Sequence, residues 1–345
     1  MSEGRLRAFD WLRGLAVLVM VQTHALFLVQ PALRVGEAFH WLNFVDGLVA
    51  PTFLFAAGFS LGLTQVRAAQ ANDSARRLRK TALRLVEVLF IACLLNWMWF
   101  PVFREPIWWL RFDILHCLGL NLMLLLPFAN KLGSRPRVLA ASMIVLGVAV
   151  FLVAPLLENV PGIAGRFVNE KTGALFPMIP WLGHIAAGVA VGAIAAAESR
   201  RTLAVFLLVL GVVGFALYRL TWPIASLYPP HEVWRTNIGP HGVRLFWVAA
   251  LSLLLLGVER AAAAKNPVVA FIETFGTSSL SAYFFHLFFL YYELIHGASF
   301  RAHWNDKLDW SGYVVAVIAL TALTYVAVRL WDLLDRRLRT VRKPA

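Results

Sequence analysis

Residues 8–25 read AFDWLRGLAVLVMVQTHA, and this stretch decides the fold. From Gly14 to Val21 every residue is apolar or small, on all sides of the helix they would form. A helix that is hydrophobic all round is buried in a large core or in a membrane. Basic residues precede it, as in a secretory signal, but no small-residue cleavage site follows, so it reads as a retained first span. Working outward, similar runs recur along the whole chain. Of its 345 residues, 60% are hydrophobic and only 15% are charged, against about 25% charged in an ordinary soluble domain. The mean hydropathy of +0.69 agrees.

About 20 apolar residues cross a hydrocarbon core as a helix. Ten segments qualify: 9–29, 46–65, 83–101, 112–130, 137–156, 175–196, 202–222, 243–258, 268–294 and 312–334. The segment 243–258 is the shortest, and the Pro-, His- and Trp-rich loop 223–242 before it is expected to dip back towards the membrane. The net charge of +13 would suggest nucleic acid for a soluble protein. Here the basic residues alternate by side: 22 of the 32 Lys and Arg fall on one face of the ten-span map and 10 on the other. The richer side is cytoplasmic by the positive-inside rule. The expected fold class is therefore all-α: a polytopic membrane protein of about ten transmembrane helices with both termini cytoplasmic. Its place is the cell inner (cytoplasmic) membrane, and no nucleic-acid partner is expected. Cys93 and Cys117 sit inside apolar runs, with neither disulfide nor metal spacing.

Ionisable groups at membrane depth are costly and mark function. His24, His116, His184 and His286 fall inside spans, and the alternating topology places all four in the outer half of the bilayer. Asp46 and Asp113 begin inward-running helices at the same depth. Asp10 and Arg13 are three residues apart and can pair on one face. Arg13 and His24 are eleven apart, nearly one face, and roughly 16 Å apart along the axis. Tyr283 and His286 share a face. Gly47, Gly58 and Gly62 read as sites of close helix approach.

Five motifs, in order, resemble the heparan-α-glucosaminide N-acetyltransferase catalytic-domain family and its bacterial relatives. They are RAFDWLRGLAVLVMVQTHA (7–25), GLVAPTFLFAAGFSLGL (47–63), RFDILHCLGLNLML (111–124), FPMIPWLGHIAAGVAVG (176–192) and FGTSSLSAYFFHLFF (275–289). The resemblance implies a single integral-membrane acyltransferase-like domain over 1–345. It would move an acyl group, in the first place acetyl, from cytoplasmic acyl-CoA to a sugar or glycolipid at the extracytoplasmic side. Acyl-CoA is then a co-substrate, the bilayer and the saccharide are the partners, and no metal is expected. Small-residue helix faces fit either internal packing or a homo-oligomer. His24 is ranked first as general base, since imidazole titrates near neutrality. His40 is second, because it lies in the loop where the lysosomal enzymes of the family carry their catalytic histidine. Asp46 would orient an imidazole and His116 would polarise the carbonyl. Arg7, Asp10 and Arg13, with Arg76, Arg77 and Arg79, would form the CoA end. His184, Tyr283 and His286 are further polar groups inside the membrane. Two other classes compete: a polar-solute transporter with an intramembrane histidine relay, and a haem carrier with bis-histidine ligation.

Overall fold

The computed structural model describes residues 6–99, 111–261, 266–292 and 299–341. Sixteen helices follow one another: α1 Arg7–Ala25, α2 Gly36–Asp46, α3 Val49–Gln70, α4 Ser74–Trp99, α5 Ile114–Lys131, α6 Pro136–Leu157, α7 Gly162–Val168, α8 Met178–Ala197, α9 Arg200–Arg219, α10 Thr221–Ala225, α11 Val233–Thr236, α12 Ile238–Ala261, α13 Pro267–Thr277, α14 Ser279–Tyr291, α15 Phe300–Trp304 and α16 Trp310–Val341. Among the described residues, nine helical stretches are long and apolar enough to cross a membrane. The α13–α14 pair makes a tenth if it is one span bent by 88°. The all-helical, ten-span reading therefore holds, and three boundaries change.

Asp46 does not begin the second span. It ends α2, and α3 starts three residues later. The eighth span begins at Ile238 rather than 243, and the stretch before it holds the short helices α10 and α11. Gly239-Pro240 reads as a breaker, yet proline is tolerated in a first helical turn, where its missing N–H would have no intrahelical partner. The Asn237 side chain accepts the Gly239 N–H at 3.0 Å and starts the helix there. The ninth span is broken at Thr277–Ser278. Polar groups take up the backbone and side chains at the break: Arg13 Nη1 donates to the Gly276 carbonyl at 3.2 Å, and the Ser278 hydroxyl lies 2.9 Å from Asp332 Oδ2.

The chain, for which a single domain over 1–345 is expected, divides into two compact units. Unit 1 comprises Met1–Val49 and Val258–Ala345. In it α1 packs against α13, α14 and α16. A Cβ on Gly276 would run into the Asp10 carbonyl, so this glycine sets how closely α13 approaches α1. Val21 and Ala25 of α1 form a buried cluster with Leu28, Leu290 and Leu320.

Unit 2 is Ala50–Gly257. Its axis is α8, buried continuously from Pro180 to Ile194. The reason is a reciprocal glycine seam. Gly58 and Gly62 of α3 meet the carbonyls of Ile185 and Val189, while Gly188 and Gly192 of α8 meet those of Phe55 and Phe59. Small residues four apart on both helices let the backbones touch, the usual device where lipid supplies no hydrophobic drive. Gly58 and Gly62 thus do what their spacing predicts. Gly47 instead follows the end of α2, and its N–H bonds the Asn43 carbonyl.

Candidate functional site

Unit 1 gathers polar groups around the end of α1. His24 Nδ1 lies 3.0 Å from His286 Nε2, and His286 Nδ1 lies 2.8 Å from the Ala282 carbonyl. A carbonyl only accepts, so in the neutral pair His286 carries its proton on Nδ1 and offers a lone pair at Nε2. His24 must then donate from Nδ1. Its own Nε2 is consequently the basic nitrogen. The tautomer of His24 is set by a chain of two hydrogen bonds that ends on the backbone of α14. His286 is fully buried and His24 is partly exposed, so the anchored ring is the inner one. Tyr283 packs edge-on against His286, with centroids 5.5 Å apart.

Asp46 approaches by way of Thr23, not the imidazole. The Thr23 hydroxyl stands 2.9 Å from Asp46 Oδ1 and 2.9 Å from the Val19 carbonyl, two acceptors for one proton. Beside it, Gln22 Nε2 donates to the Tyr313 hydroxyl at 2.8 Å, and that hydroxyl donates to the Gln22 carbonyl at 3.0 Å. Tyr313 belongs to a long apolar span, and nothing in the sequence pattern marks it as part of a polar cluster. His40 is exposed on α2, edge-on to Trp41. The fold does not bring it into the His24–His286 pair.

Arg7 and Arg13 are engaged at the other end of α1. The Arg7 guanidinium pairs with Glu273 at 2.9 Å and lies over Trp11, and its backbone N–H donates to Glu259 at 2.7 Å. Arg13 holds the α13–α14 break, and the Asp10 carbonyl abuts Gly276. The three residues thus join α1 to its neighbours.

In unit 2, His116 is the third residue of α5 and part of its cap. Asp113 Oδ1 accepts the Ile114 N–H at 2.7 Å, and His116 Nδ1 accepts the Asp113 N–H at 3.5 Å. The other imidazole nitrogen of His116 lies 3.8 Å from Cys93 Sγ. His184 pairs with His241, Nε2 to Nδ1 at 3.0 Å. His241, beside Pro240 in the sequence, lies in the first turn of α12. Both histidine pairs hydrogen-bond directly, which leaves no room for a porphyrin between the nitrogens of a pair.

Arg76, Arg77 and Arg79 lie in the first turns of α4. Just before them, Ala69, Asn72 and Ser74 line, with Asn130, Lys131 and Ser134 from the end of α5 and the turn after it, an open cleft of about 400 Å³. The cleft combines a helix N-terminus with a lysine, both of which favour anions.

A family model described as heparan-alpha-glucosaminide N-acetyltransferase, catalytic, matches residues 5–220. That is well over half of the chain, and it includes His24, His40, Asp46, the α4 arginines, His116 and His184. It stops short of His241, Tyr283, His286 and Tyr313. No curated protein matches the chain.

Proposed function

The chain belongs to the heparan-α-glucosaminide N-acetyltransferase catalytic family, and from that premise we propose that it transfers an acyl group from acyl-CoA to a sugar or glycoconjugate acceptor, with His24 as the proton acceptor. The observation that carries this reading is the His24–His286–Ala282 chain, which presents a lone pair at His24 Nε2. A positioned base of this kind is worth about 10²- to 10⁴-fold in rate.

In the proposed step the acceptor hydroxyl or amine attacks the thioester carbon and passes its proton to His24 Nε2. The new acyl–oxygen or acyl–nitrogen bond forms as the carbon–sulfur bond breaks. The departing CoA thiolate takes the proton from the imidazolium and leaves as the thiol. The His24 Nδ1–H bond to His286 disperses the transient positive charge and keeps the ring from turning. Thr23 and Asp46 add a fixed dipole and a carboxylate near the imidazolium. On the acyl-CoA side, the CoA phosphates are assigned to basic residues expected at the cytoplasmic side, Arg7 and Arg13 with Arg76, Arg77 and Arg79. The positive-inside count favours cytoplasmic termini. His24, late in α1, then faces the extracytoplasmic half, where the acceptor is read.

Purified protein incubated with radiolabelled acetyl-CoA tests this, wild type beside His24→Ala. Time-dependent hydrolysis or transfer that disappears in the variant is expected. Turnover retained by His24→Ala but lost in His40→Ala would move the role to His40. A wild type that neither binds nor consumes acetyl-CoA sinks the reading.

One observation favours a transporter instead: the 88° break between α13 and α14, since discontinuous helices commonly carry substrate sites in transporters. Solute uptake into proteoliposomes without acyl-CoA would support that second reading.

A further inference from the structure

Unit 2 carries an apolar groove that has no part in the mechanism above. α6 supplies one wall with Ile144, Val148 and Phe151, and α9 supplies the other with Leu210, Val213 and Leu217. Both helices pack on α8, which contributes Gly183 and Ala187 between them. Gly147, Gly214 and Gly242 complete a lining in which backbone replaces side chains. The glycines are there for close packing. A Cβ on Gly214 would stand 2.4 Å from the Gly242 carbonyl oxygen, and one on Gly183 would stand 2.4 Å from the Phe151 ring. Their absence seats α9 on α12 and Phe151 on α8. The same missing side chains leave the space between the walls unfilled.

The groove measures about 80 Å³, and every side chain that lines it is apolar. A water there would find no side-chain partner, and apolar cavities stay dry. One water needs about 10–15 Å³ on this measure, so there is room for about five to eight groups of water or methylene size. From Ile144 to Phe151 the wall runs roughly 10 Å along the α6 axis. Those dimensions suit a single file of methylenes. A helix, about 10–12 Å across with its side chains, does not enter such a space.

The surface around the groove says what fills it. Val148 and Val213, one on each wall, are 41% and 50% exposed, so the groove opens sideways. Val145 on α6 and Val209 and Val212 on α9 continue that exposed apolar face. Both helices are membrane spans, so this face meets lipid chains and the groove extends the same surface inward. An empty groove would forfeit dispersion contacts along its lining, and in a bilayer hydrocarbon is the material at hand. One end is braced. Phe151 stacks on His241 with ring centroids 4.9 Å apart, and beside it the Tyr228 hydroxyl donates to the Leu152 carbonyl at 2.9 Å, tying the segment after α10 to α6.

We propose that the groove between α6 and α9 is a binding site for one unbranched acyl chain of a bilayer phospholipid, held between the two walls against Gly183 and Ala187. This lipid is neither donor nor acceptor in the acyl transfer, and the site is independent of that reading.

The test is photolabelling of the full-length protein in detergent, titrated with phosphatidylcholine that carries a diazirine in one acyl chain, with the labelled residues mapped by mass spectrometry. Saturable label on Ile144, Val148 and Val213 is expected, competed by unlabelled phosphatidylcholine. Label on the exposed Val145 and Leu208 should only rise in proportion to lipid added. Ala187→Leu fills the groove from α8, and Val213→Trp narrows it from the half-exposed wall, where a larger side chain is compatible with folding. Each should abolish the saturable label, with thermal melting confirming that the variant is folded. Label that never saturates, or that is equal on Val145 and Leu208, means bulk contact and overturns the proposal. Saturable label unchanged in folded Val213→Trp also overturns it. Cross-linked dimers through α6 and α9 in place of lipid label would put a second copy of the chain on this face and overturn it as well.

Discussion

At the scale of single residues, the strongest inference is a tautomer. His286 serves His24 only as an acceptor backed by a carbonyl. His286→Gln can present an amide oxygen in its place, whereas His286→Leu cannot. The glutamine variant should keep most of the activity. The leucine variant should lose on the order of 10²-fold in kcat, the low end of what a positioned base contributes, with KM little changed. A pH–rate profile separates positioning from packing: its acidic limb should move in His286→Leu, while a purely structural defect would lower the whole curve without moving it. Thr23→Val tests the next contact. It removes the donor to Asp46 Oδ1 and should cost about 1–3 kcal/mol in stability, read by thermal unfolding. His24, Asp46 and His286 were each legible as ionisable groups in apolar runs. Their pairing was not, because a contact across 262 residues has no local signature. The sequence pointed Asp46 at an imidazole, and the fold set Thr23 between them, since α2 ends at Asp46 instead of α3 beginning there.

At the scale of elements, glycine seams and polar breaks decide how the spans meet. A side chain on Gly188 would collide with the Phe55 carbonyl, a backbone atom that cannot swing aside. Gly188→Leu should therefore destabilise unit 2 by at least about 1–3 kcal/mol, measured by detergent thermal melting, whereas Gly257→Leu, with open space at that position, should be near neutral. The ten spans were readable because hydropathy over some 20 residues is a local property. The start of α12 was misread for an equally physical reason. Gly239-Pro240 breaks a helix interior but not a first turn, so a local pattern starts the span after His241 whereas the helix begins before it. The break at Thr277–Ser278 was invisible too, because FGTSSLSAYFF is apolar and small enough to continue a helix. It takes Arg13 and Asp332, from other helices, to hold it open.

At the scale of the whole molecule, pH acts through the loops as well as the site. Burial raises the Glu158 pKa, but Lys171 at 2.7 Å, the Glu232 amide and Thr236 outweigh burial and hold the carboxyl below its ordinary value of 4.5. A carboxylate depressed on folding stabilises fully above its unfolded pKa, and that stability fades as pH falls through the folded value. Melting temperature should therefore fall as pH drops below about 4.5. Glu158→Gln should flatten that fall and lower stability at neutral pH, and a variant with the wild-type slope would remove Glu158 from the explanation. What the sequence by itself determined is the class of molecule: a helical membrane protein of about ten spans, and its family. The spans follow from composition and hydropathy and the family from five short motifs in order, all carried by neighbouring residues. Only the tertiary structure decided that four histidines form two hydrogen-bonded pairs, that Arg7 and Arg13 join α1 to its neighbours, and that the Trp181 indole N–H and His184 Nδ1 are buried with no hydrogen-bond partner among the described residues. Those depend on which helices touch and at what rotation, and that is set by close packing between segments far apart in the chain.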